Sequence, residues 1–92
     1  MELEDLRKEI DRLNQEIIFL LSKRKEVTLK IAQVKKEQDL PILDEEREKK
    51  QRLRIETLAR KQGLNPQVIA TLFEDFITYC REEMESSWES SP

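Results

Sequence analysis

The stretch LEDLRKEIDRLNQEIIFLLSKRKEVTLKIAQV, residues 3–34, decides the fold. Leu3, Leu6, Ile10, Leu13, Ile17, Leu20, Arg24, Val27, Ile31 and Val34 follow one another at alternating steps of three and four. That is an uninterrupted heptad seam on a single helix, and it carries one charge, Arg24. A guanidinium on an apolar seam loses part of its hydration. It is tolerated there when it snorkels outward or meets an anion with good geometry.

The rest of the composition agrees with helix. Charged residues make up 40% of the 92 and aromatics 5%, and the single Gly and three Pro leave few turns. This is one domain, 1–92, small enough for a lone monomer to be marginal. A net charge of -3 argues against general nucleic-acid binding, and no basic run is interleaved with aromatics. The absence of His removes Ser-His-Asp and Cys-His catalysis and argues against zinc. Cys80 has no partner for an internal disulfide and reads as a small buried helix residue. The acidic start Glu2-Leu3-Glu4-Asp5 lacks an apolar signal core and no run is long enough to span a membrane, so a cytoplasmic location is expected.

Punctuation divides the chain into three helices. The first is expected from about Leu3 to Gln38, closed by the loop around Pro41. Asp44 is a cap for the second, with Glu45 and Glu46 suited to the positive end of its dipole, and Gly63 ends it. Asn65 and Pro66 restart the chain. The third helix carries Ile69, Leu72, Phe73, Phe76, Ile77, Cys80 and Met84 on one broad face, with a frayed tail expected over about 86–92. Trp88 continues the apolar spacing and is a candidate to pack back. A first helix of about 50 Å cannot bury its seam against two shorter helices of its own chain. An intertwined all-α homodimer is therefore expected.

Polar residues gather on that scaffold. Arg24, Thr28 and Lys35 share one stripe of the first helix, while Arg47 and Glu48 open the second just after Asp44. Arg7 lies about 25 Å along the axis from Arg24, so only the Arg7 of an antiparallel partner could meet it. Each has a plain reading as well. Arg24 can snorkel or pair with a Glu, Lys35 favours a helix C-terminus, Asp44 caps, and Arg7 can pair with Asp11 four residues on. Their joint placement is what carries information.

The runs Leu6-Arg7-Lys8-Glu9-Ile10-Asp11, Leu20-Leu21-Ser22-Lys23-Arg24 and Ile31-Ala32-Gln33-Val34-Lys35 resemble the long first helix of the all-helical chorismate mutases. Leu40-Pro41-Ile42-Leu43-Asp44-Glu45-Glu46-Arg47-Glu48 is similar to the loop and second-helix start of that family, and the likeness continues through Gly63-Leu64 and Ile69-x-x-Leu72-Phe73. The resemblance implies the pericyclic rearrangement of chorismate to prephenate, in phenylalanine and tyrosine biosynthesis, with no cofactor, metal or covalent intermediate. It implies that Arg24 and the partner chain's Arg7 bind carboxylates. Lys35 would serve a carboxylate and the breaking ether oxygen. Glu48, with backbone near Asp44, would hold the ring hydroxyl, and Arg47 would add positive potential and order Glu48 or the substrate.

Two positions depart from the family pattern. Cys80 falls where Ser or Asn is usual, which weakens that hydrogen bond. Met84 falls where a Gln, or a protonated Glu, donates to the ether oxygen, and Met cannot donate. Either Lys35 serves that oxygen alone in a slower enzyme, which is the expectation, or the third helix shifts and brings in Glu83. The rival readings are isochorismate pyruvate-lyase and a non-catalytic helical dimer or adaptor.

Overall fold

The computed structural model describes residues 2–89, with side chains described through Ser86. Three helices follow in order: α1 (Leu3–Glu37), α2 (Glu45–Lys61) and α3 (Pro66–Glu89). Glu4 and Asp5 in the first turn of α1, and Lys35 and Lys36 in its last, complement the helix dipole. Pro41 follows the end of α1 but does not make it. The turn is made by Asp39 at φ 58°, where Leu40 N–H reaches back to the Lys35 carbonyl at 2.8 Å and Asp39 N–H to that of Lys36 at 3.3 Å. This is a Schellman ending, with Asp in the left-handed position where Gly is usual. α2 ends in the same way at Gly63 (φ 73°), through Leu64 N–H to the Ala59 carbonyl at 2.9 Å.

The expected caps form. Asp44 Oδ1 accepts Arg47 N–H at 3.1 Å, and Asn65 Oδ1 accepts Val68 N–H at 3.1 Å, with Pro66 at the first helical position. α3 is helical to Glu89, the last described residue. Once nucleated, a helix extends by one bond per residue, and no Gly or Pro interrupts it there. The side chain of Trp88 lies outside the described residues.

α2 packs along α3, and the C-terminal half of α1 packs on α3, but the backbones of α1 and α2 do not meet. Small residues allow the close approaches: Ala32, Ala59, Ala70 and Cys80 are buried, together with Met84. Leu72, expected on the buried face of α3, is exposed in the single chain. The molecule measures 56 × 28 × 16 Å, and its radius of gyration is 16.6 Å. A compact chain of this length would have about 12 Å. Its accessible surface is 7688 Å², against about 5,600 Å² for a compact monomer of this mass. Apolar helix face is exposed along much of α1. Leu3, Leu6, Ile10, Leu13, Ile17 and Leu20 are 41–64% exposed, so the seam of α1 faces outward in the single chain. Among the described residues no helix is long and apolar enough to cross a membrane.

A polar clamp fastens α1 to α3. Lys25 Nζ donates to Tyr79 Oη at 3.1 Å and pairs with Glu83. Lys25 is raised above the ordinary lysine range, chiefly by its bond to Glu83 and then by Tyr79. Glu83 is lowered, chiefly by its bond from Lys25 and against a smaller opposing effect of desolvation. A depressed carboxyl stabilises the fold fully above its unfolded pKa of about 4.3, and that contribution fades as pH falls through the lower folded value. The raised lysine contributes fully below its unfolded value of about 10.4 and loses this only at pH above it. Lys25→Met is therefore expected to lower the thermal midpoint slightly at neutral pH, as suits an exposed pair. The gap to wild type should shrink as pH is lowered to about 3. A gap unchanged across that range would contradict this assignment of the clamp.

Candidate functional site

Because the backbones of α1 and α2 stay apart, the loop that joins them and the flank of α3 border a cavity of about 340 Å³ between the helices. α1 contributes Arg24, Thr28, Ile31, Ala32 and Lys35, which recur with helical spacing on one stripe. The loop adds Ile42 and Asp44, and the first turns of α2 add Arg47, Glu48 and Gln51. α3 adds Ile77, Arg81 and Met84, again three to four residues apart. Four cations face two carboxylates here, so the cavity is locally positive in a chain whose net charge is -3. A small dianion is the ligand that such a wall favours.

The cations differ in what holds them. The Arg24 guanidinium carbon lies 5.9 Å from the Phe73 ring centroid and 6.0 Å from that of Phe76. At that range the rings add little attraction, but they shield the guanidinium from water without neutralising it. The Thr28 hydroxyl donates to the Arg24 carbonyl at 2.9 Å, so its proton is turned to the helix backbone. Lys35 Nζ donates to the Ile42 carbonyl at 2.8 Å, a neutral partner that fixes the amine and leaves two donors. The Asp44 carboxylate is engaged as a helix cap. Glu48 Oε1 accepts from Arg81 Nη1 at 2.8 Å. The residue that pairs with Glu48 is thus Arg81 on α3, and Arg47, given by the resemblance the task of ordering Glu48 or the substrate, also lines the cavity.

Met84 is 7% exposed and lines the cavity. Glu83 points elsewhere, into its pairing with Lys25. The helix register that presents Met84 is therefore the one observed, and a shift bringing in Glu83 is not. Cys80 is buried and does not line the cavity. Burial pushes its thiol pKa up against the weaker opposing pull of Lys25 and Arg24, which leaves it a protonated, inert group. Arg7 stands apart from the cavity, exposed on the projecting half of α1. It pairs with Glu4 at 3.4 Å, and the expected i+4 pair with Asp11 does not form. Helical side chains lean toward the N-terminus, which brings Arg7 over the preceding turn.

The cavity also includes Arg81, Gln51 and Ile42, which no sequence motif marks, and Ile77, expected only on the apolar face of α3. Arg81 had a signal: it lies three residues before Met84 and four after Ile77, on the same stripe. Gln51 and Ile42 had none that distinguishes them from ordinary surface and loop residues.

The chain is all-helical and four cations line its cavity beside two carboxylates. It belongs to the chorismate mutase type II family, which it matches over residues 6–85. Arg7, Arg24, Lys35, Asp44, Arg47, Glu48, Cys80 and Met84 all fall within that span. It is 38% identical over 73 residues to a bifunctional chorismate mutase/prephenate dehydratase of Buchnera aphidicola, covering 79% of this chain and 19% of that protein. To the Aquifex aeolicus protein of the same name it is 35% identical over 82 residues, covering 86% and 23%. To a chorismate mutase of Methanocaldococcus jannaschii it is 29% identical over 77 residues, covering 84% and 78%. The chain thus spans about a fifth of the length of the two bifunctional relatives.

Proposed function

We propose that this chain rearranges chorismate to prephenate as a single domain, 1–92, with no cofactor, in a cytoplasmic, symmetric homodimer. The observation that carries the reading is the convergence of Arg24, Lys35, Arg47 and Glu48 on one cavity of about 340 Å³ in a chain of this family. The rearrangement is a one-step shift with no proton to move, so the protein has two tasks. It folds the enolpyruvyl arm over the ring, and it stabilises negative charge growing on the breaking ether oxygen. Arg24 grips a carboxylate through its forked donors. Lys35, already oriented by Ile42, gives its remaining donors to a carboxylate and the ether oxygen. Glu48, with the backbone near Asp44, accepts from the ring hydroxyl, and Arg47 adds positive potential at the mouth. Cys80 contributes shape from behind the wall rather than a hydrogen bond.

The second copy completes both the fold and the site. The chain exposes about 2,000 Å² more surface than a compact monomer would. That is ample for a stable dimer interface, which removes about 800 Å² or more from each partner. Antiparallel pairing of the two α1 seams covers Leu3 through Leu20 and delivers the partner's Arg7 toward Arg24, closing the site over the second carboxylate.

Met84 sets the rate. It presents no donor where the ether oxygen would lie, so Lys35 acts there alone and turnover is measurable but submaximal. Purified protein given chorismate should consume it and release prephenate; a folded dimer with no turnover above background would sink the proposal. Met84→Gln supplies the absent donor and is expected to raise kcat about tenfold or more. An unchanged rate would mean that position 84 does not face the reacting oxygen. The lyase reading has less support, since each of the three relatives described above carries chorismate mutase in its name.

A further inference from the structure

Glu48 shares its cavity with four cations, and the one it pairs with is Arg81. The pair spans α2 and α3, with side chains 39% and 25% exposed. It forms part of the partition between the cavity and a second groove of about 430 Å³, since Glu48, Gln51, Ile77 and Arg81 border both.

The pairing decides which cations stay open. Among the described residues, Arg24 and Lys35 form no ion pair: one faces aromatic rings and the other a neutral carbonyl. Asp44, the other carboxylate in the wall, is engaged by the start of its own helix. Glu48 is the acid with freedom to choose, because its side chain has several rotamers and no backbone donor holds it. In a partly dewatered cavity the attraction between opposite charges is several times that in bulk water. A released Glu48 would be drawn to Arg24 or Lys35 and would compete there with an incoming carboxylate.

We infer that Arg81 is a positioning residue that acts through Glu48, sequestering its carboxylate on the α3 side so that Arg24 and Lys35 remain open to an anionic ligand. The identity of that ligand rests on the proposed function; the internal competition does not. Arg81 holds Glu48 where it can accept from a ligand hydroxyl and away from the groups that grip carboxylates.

The probe is the stable bicyclic ether dicarboxylate that mimics the transition state, titrated calorimetrically so that binding is read without turnover. Arg81→Met is expected to weaken its binding about tenfold, the ordinary size of one charge-assisted contact. In the Glu48→Gln background the same replacement should change binding less than about twofold, because an amide does not compete for the cations. Arg81→Lys should bind close to wild type. Equal losses from Arg81→Met in both backgrounds would overturn the inference, since Arg81 would then touch the ligand itself or serve only the fold. Arg81→Gln gives the same comparison if Arg81→Met does not fold. Wild-type protein that binds the mimic but does not convert chorismate overturns the proposed function and leaves this cycle readable. Wild-type protein that does not bind the mimic overturns both.

Discussion

Arg24→Ala is expected to lower kcat/KM for chorismate by at least about a hundredfold, with helix content and thermal midpoint close to wild type. Removing one preorganised donor of this kind costs about 3 kcal/mol of transition-state stabilisation. The structure separates that loss from a folding defect. Arg24 contributes its backbone carbonyl to the Thr28 bond, which alanine retains, and alanine is the best helix former at such a position. The guanidinium itself makes no ion pair among the described residues, so its removal leaves no carboxylate stranded. Arg24→Lys should recover only part of the activity, because a single ammonium cannot present two parallel donors to a carboxylate. A loss below tenfold for Arg24→Ala would remove Arg24 from the site.

Mixing two inactive variants should restore activity. In the proposed dimer, the Arg7→Ala and Arg24→Ala variants each lose one of the two arginines assigned to the substrate carboxylates, in both sites. In a mixed dimer, one site combines an intact Arg24 with an intact Arg7 from the other chain, and the second site lacks both. After equimolar unfolding and refolding, half of the dimers are mixed and each has one complete site, so roughly a quarter of wild-type activity returns. The expectation follows from where Arg7 lies. It is about 25 Å along α1 from Arg24, exposed beside Glu4, and no part of its own chain's cavity. Activity in the refolded mixture no higher than that of the separate variants would mean that Arg7 does not act across the interface.

Much of this was legible in the sequence because helices obey local rules. The capping residues Asp44 and Asn65, and Gly63, each act within one turn of the chain, and each does in the structure what its type dictates. The stripe of Arg24, Thr28 and Lys35 was legible for the same reason, since helical period alone aligns it. Asp39 was not. An aspartate in the left-handed conformation cannot be told from a solvated one until the carbonyls of Lys35 and Lys36 need donors. Nor was the role of Arg81, which depends on Glu48, 33 residues away on another helix.

The sequence by itself determined three helices, the caps that start α2 and α3, and the excess of apolar face on α1. These follow from backbone hydrogen bonding and a period of 3.6 residues, and need no long-range contact. Only the tertiary structure decided how the charges are shared. It set Arg24 against Phe73 and Phe76, Lys35 on the Ile42 carbonyl, Glu83 on Lys25 and Glu48 on Arg81. An ion pair depends on distances of a few ångströms between elements far apart in the chain, and many pairings are open to a sequence in which 40% of the residues are charged. Packing of α1 and α2 against α3 selects one of them, and among the described residues that selection leaves Arg24 and Lys35 without a carboxylate of their own.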